Sequence, residues 1–200
     1  MPENSKLRQK VDSLTFKITA ANHVLTNIAK KLPKNIAEKN KLELHVQEFL
    51  FFASGAIEVI KREINSRFEI FDKENVFYIY GLKKRLLDNG IQGKIKETIS
   101  NYFSTPEYNY ELDTKNSSLW RLQTLRNQAM HGNIIKIIRN KLYFKYTIRT
   151  DKEHVIIFVE STENPYRYFK QLFDELCNFI IKTKKIMNPN YKLKIKPLQM

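Results

Sequence analysis

Cysteine is nearly missing from these 200 residues: Cys177 stands alone, inside the apolar run LFDELCNFII. A lone thiol excludes a disulfide framework or a thiolate metal site within one chain, and a reduced, cytoplasmic setting is the expectation. Glycine and proline are scarce, at 5 and 6 residues, which excludes low-complexity and collagen-like chains. No run approaches the roughly 18 apolar residues of a membrane span, and MPENSKLRQK lacks the apolar core of a signal peptide, so neither a membrane nor secretion is expected. Acidic residues are in deficit as well: 21 Asp and Glu stand against 35 Lys and Arg, a formal charge of +14. Nucleic acid is the first partner such a balance suggests, with a solvated lysine-rich surface as the plain alternative.

What is present is a globular composition, 42 % hydrophobic and 12 % aromatic. Its length suits one domain, taken as residues 1–187, with a basic tail over 188–200. Leu7, Val11, Leu14, Ile18, Ala21, Leu25, Ile28 and Leu32 recur at helical spacing over residues 5–31, until Pro33. A second helix carries Leu42, Val46, Phe49, Ala53, Ile57, Ile60 and Ile64 on one stripe and Phe52, Ala56 and Val59 on another, so it is either central or shared with a partner chain. Shorter helices are predicted at about 75–88 and 91–103, with a loop after them. Tyr102, Phe103, Tyr108 and Tyr110 around that loop are read as packing rather than base-stacking residues. A helix from about 116 to 131 follows, ended by Gly132. KLYFKYTIR and EHVIIFVE flank TDK as a β-hairpin at about 141–160, and the segment from Pro165 to about 187 returns to the helical period. The tail alternates Tyr191, Leu193 and Ile195 with lysines, which suits an edge strand, a phosphate-contacting arm or disorder.

The stretch TLRNQAMHGN sits on the last turns of the 116–131 helix. An Arg followed by a His after such a gap is expected about 0.5 times by chance in a chain of this composition, and Arg149 with His154 is a decoy straddling the hairpin turn. Requiring Asn directly after the Arg lowers the expectation to about 0.02, and Arg126, Asn127 and His131 meet it. At about 100° per residue, Gln123, Asn127 and His131 form one polar stripe opposite Leu122, Leu125 and Ala129, while Arg126 lies about 140° from His131. Within one ideal helix the pair does not converge. A capping histidine and an arginine that complements the helix dipole are the bland reading of the same residues.

Arg126, Asn127 and His131 resemble the signature of the HEPN family: an Arg, usually followed by a polar residue, then a His four to six positions on, near the end of a bundle helix. The resemblance covers about residues 37–187. It implies a mostly α-helical, up-and-down bundle, here with the hairpin inserted between the motif helix and the last long helix. It also implies a homodimer in which two such helices share a cleft, and a metal-independent endoribonuclease that uses no cofactor. On this reading Arg126, Asn127 and His131 are catalytic, and Arg121, Gln123, Lys136, Arg139 and Lys141 hold RNA phosphates. An acidic residue on the central helix often flanks the family motif, and either Glu48 or Glu58 suits that place. Relatives act in toxin, abortive-infection and other defence systems, which makes an antitoxin or regulatory protein a further expected partner. Some carry, two residues after the His, a Tyr that a partner nucleotidyltransferase modifies. This chain has Asn133 there, which speaks against that route. The rival readings are a non-catalytic HEPN-like module that dimerises and binds RNA, a nucleotide or a partner protein, and an unrelated basic adaptor or DNA-binding protein.

Overall fold

A computed structural model of the chain describes residues 12–71, 79–104, 118–130, 136–149 and 155–195. Among these, the protein is mostly helical, with six α-helices and one small antiparallel sheet of three strands. The first helix, α1 (Ser13–Asn27), starts where the Asp12 carboxylate accepts the backbone N–H groups of Leu14 and Thr15, at 3.2 and 3.3 Å. It ends at Asn27, short of the Pro33 stop expected from the sequence. Ile28 is extended and buried, and the carbonyl of Ala29 accepts the N–H of Tyr166 at 3.2 Å, so the chain leaves α1 tied to the start of the last helix.

The long α2 (Ile36–Phe68) is capped by Asn35, whose side chain accepts the Glu38 N–H at 2.9 Å. Its two apolar stripes are both used within the chain, against α1 and against the later helices. Next come α3 (Ile79–Arg85) and α4 (Gly90–Phe103), and Gly90, the first residue of α4, takes a φ of 53°, a value that favours glycine. The motif helix is α5 (Ser118–Ala129), and α6 (Pro165–Met187) closes the core with Pro165 in its first turn. Aromatic side chains weld these elements together. Phe49 of α2 meets Phe169 and Phe173 of α6, with ring centroids 5.5 and 6.3 Å apart. Tyr102 and Phe103 of α4 both rest on Phe179, which bears out the packing role read for them; Tyr108 and Tyr110 lie outside the described residues.

The sheet lies between α5 and α6 in the chain, where the hairpin was expected. The strands β2 (Lys141–Arg149) and β3 (Val155–Thr162) pair antiparallel, with Tyr146 opposite Phe158. The sequence reading did not find β1 (Lys136–Ile138), which pairs with β2 through a tight turn at Arg139 and Asn140, φ 47° and 59°. Two consecutive left-handed residues are what a two-residue hairpin turn needs. The sheet is not an appendage: Leu142, Phe144 and Tyr146 point from β2 into the core and are fully buried. The basic tail forms no strand over residues 188–195, where Tyr191 and Leu193 pack against the core edge.

Candidate functional site

The motif occupies the exposed end of α5. Leu122 and Leu125 are fully buried on one side, while Gln123 and Arg126 are half-buried and Asn127 is exposed, so the apolar and polar faces read from the period hold. The Arg126 carbonyl accepts the Met130 N–H at 3.3 Å, which carries the helical bonding to the last described residue of this segment. The Arg126 guanidinium donates to Oδ1 of Asn127 at 3.1 Å, so the two motif side chains orient each other. His131 follows Met130 directly and lies outside the described residues, as do Gly132 and Asn133.

Gln123, Arg126 and Asn127 line a cleft of about 530 Å³, shared with residues of α1, α2 and α3. Lys17 enters from α1, and Glu58 and Lys61 enter from α2. Among the described residues, its charged lining is thus three cations against one carboxylate. The Lys61 ammonium lies 2.6 Å from Glu58 Oε1, which offsets that carboxylate. The two acidic candidates on α2 are separated by this geometry. Glu58 lines the cleft beside the motif, whereas Glu48 pairs with His45 at 3.3 Å and takes no part in the lining. Tyr80 also lines the cleft, and its hydroxyl donates to the Phe103 carbonyl at 2.7 Å. Burial pushes the Tyr80 pKa well above the ordinary tyrosine value, so it serves as a neutral donor rather than as a base.

Arg121 corrects an expectation. Read as an RNA contact, it is instead 3 % exposed, one and a half turns before Arg126, with Nε 3.3 Å from Glu160 of β3. Glu160 in turn accepts the Tyr168 hydroxyl at 2.9 Å, and Tyr168 meets the hydroxyl of Tyr146. Burial is the first cause that raises the pKa of both tyrosines, so both stay protonated and can donate. Arg121 therefore anchors α5 to the sheet and to α6. Lys136, Arg139 and Lys141 are exposed on β1, its turn and the start of β2, and Lys141 lies 3.7 Å from Glu163. None of the three lines the cleft with Arg126, so the structure does not bring these expected phosphate contacts to the motif.

Lys17, Lys61, Ser54 and Trp120 are cleft residues that the sequence reading missed. One signal was available: Gly55 interrupts a strong helical period, and such a glycine marks a close approach. Among the described residues, no group of three or more His, Cys, Asp or Glu is placed to hold a metal ion, and no helix is long and apolar enough to cross a membrane. No family model, curated protein or solved structure matches the chain.

Proposed function

We propose that this chain is a HEPN-like, metal-independent endoribonuclease that works as a homodimer, in the manner of a toxin or defence effector. The observation that carries this reading is the placement of Arg126 and Asn127. They hold each other on the open end of α5, line a cleft with a cationic surplus among its described residues, and stand five and four residues before His131. A positively charged cleft draws in a polyanion, and a guanidinium fork suits the two free oxygens of a phosphodiester.

The chemistry follows from those groups. One imidazole removes the proton from a ribose 2′-hydroxyl, whose oxygen attacks the adjacent phosphorus. The bond from phosphorus to the 5′-oxygen breaks, and a second imidazole, protonated, gives its proton to that leaving oxygen. The products are a 2′,3′-cyclic phosphate and a 5′-hydroxyl, and no metal takes part. Arginine stabilises the extra negative charge on the phosphorane. A two-fold pair of chains supplies both imidazoles, which a single helix end does not.

The test is incubation of purified protein with total RNA in EDTA, comparing wild type with His131→Ala and Arg126→Ala. Cyclic-phosphate ends that vanish in both variants, with folding retained, are the expected result. Salt-sensitive RNA binding without cleavage in wild type would replace this reading with the non-catalytic binding module.

A further inference from the structure

Lys17 is seated by a device that spans two helices. Its side chain crosses α2 where residue 55 has no Cβ: one added there would lie 3.1 Å from both Cδ and Cε of Lys17. Glycine weakens a helix interior relative to alanine, so the gap at Gly55 is a structural cost that makes room for the lysine. The ammonium sits 4.7 Å from the ring centre of Phe51 and 5.5 Å from that of Phe52. Phe51 is 58 % exposed, in a protein whose core holds Phe49, Phe103, Phe144, Phe169 and Phe179 almost completely covered. Phe52 braces Phe51 edge-on at 5.4 Å. Both Phe51 and Lys17 line the Arg126 cleft, as does Ser54, which is 6 % exposed and whose hydroxyl has no hydrogen-bond partner among the described residues.

Resting on the RNA reading above, we propose that Phe51 and Lys17 form a nucleotide subsite of the cleft for single-stranded RNA. A base stacks on the exposed part of the Phe51 ring, and its phosphate is held by the Lys17 ammonium on the approach to Arg126. Three observations favour this occupant. An exposed aromatic ring beside a fixed cation is the pairing that unpaired nucleotides select, because every base offers a π-face and every linkage a negative charge. The Ser54 hydroxyl, buried in the cleft wall and without a partner among the described residues, is a polar group that a sugar hydroxyl or a base edge would satisfy after a side-chain rotation. The cationic surplus among the described lining residues supplies the counter-charge that the phosphodiester of such a strand needs.

The experiment uses the full chain and a short single-stranded 2′-O-methyl oligoribonucleotide carrying 2-aminopurine. The blocked 2′-oxygen prevents cleavage, and the fluorescent base reports stacking. Phe51→Leu, Lys17→Gln and Gly55→Ala are compared with wild type over a range of salt. Phe51→Leu is expected to lose the stacking signal and roughly tenfold or more in affinity. Lys17→Gln is expected to lower the slope of log K against log salt by about 0.7, the value for one phosphate on a single strand. Gly55→Ala is expected to bind between wild type and Lys17→Gln while unfolding at no lower temperature than wild type, because the new methyl shifts the lysine without removing its charge and favours the helix. Variants that all bind like wild type would overturn the subsite and leave the endoribonuclease reading standing, provided that wild type cuts RNA. A Phe51→Leu variant that binds normally but sediments as a smaller species would overturn it too, and make the ring a contact between copies. Phe51-dependent binding without His131-dependent cleavage would keep the subsite and remove the enzyme. No binding by wild type would end both.

Discussion

Arg121 and Arg126 stand on one helix and live in opposite surroundings. The first is buried between α5 and the sheet, facing a carboxylate that two tyrosines help to hold. The second is half-exposed at a cleft mouth and bonds only to the amide of its neighbour among the described residues. In a chain with a charge of +14, cations are plentiful and identity says little about role. What packs around each one decides whether its charge holds the fold together or remains available to a ligand.

The sharpest way to break this contrast is to remove each side chain in turn. Arg121→Ala leaves Glu160 without its cation in a buried setting and is expected to lower stability by about 3–5 kcal/mol in urea unfolding. Arg126→Ala is expected to cost under about 0.5 kcal/mol, as surface changes do. Equal losses would erase the distinction. Activity should run the other way, with Arg126→Ala slowing RNA cleavage by roughly 10²–10³-fold, measured as initial rates at saturating RNA. Tyr168→Phe comes next. It removes the donor to Glu160 and the partner of Tyr146, and a loss of about 1–3 kcal/mol is expected with RNA affinity unchanged in a filter-binding assay.

Alkaline pH tests the anchor without mutation. The folded-state pKa values of Tyr146 and Tyr168 are raised, chiefly by burial, so above pH 10 the folded chain holds protons that the unfolded chain releases. Their contribution is complete below about pH 10 and is lost as pH rises beyond it. Urea midpoints at pH 8 and pH 11 should therefore fall apart in wild type and lie closer together in Tyr168→Phe. A smaller effect than that of Tyr168 belongs to Gln128, whose Nε2 donates to the Lys145 carbonyl at 2.5 Å on an exposed flank of α5. Gln128→Ala is expected to cost about 0.5–1 kcal/mol, read from the same urea transitions.

The helices were legible because burial repeats with the period of the backbone. Leu42 to Ile64 mark α2, and Phe169, Leu172, Phe173, Leu176 and Ile180 mark α6, without reference to anything distant. Strand β1 was hidden because Lys-Ile-Ile is too short for a period. Its turn also uses Arg139 in a left-handed conformation that the sequence Arg-Asn does not advertise. The exposure of Asn127 followed from the helical wheel, which set Arg126 off the polar stripe. The wheel could not see Glu160, so Arg121 passed for a surface cation until the sheet was laid against it. Lys17 and Gly55 meet only when α1 lies along α2, and no local pattern joins them.

The cleft draws Lys17 and Arg126 from chain positions more than a hundred residues apart. During translation the first cation emerges long before the second, and the nascent chain cannot assemble the pocket until α5 has left the ribosome and docked. On the endoribonuclease reading proposed above, such a chain would be silent throughout most of its own synthesis, which would spare the messenger and the ribosome that are making it.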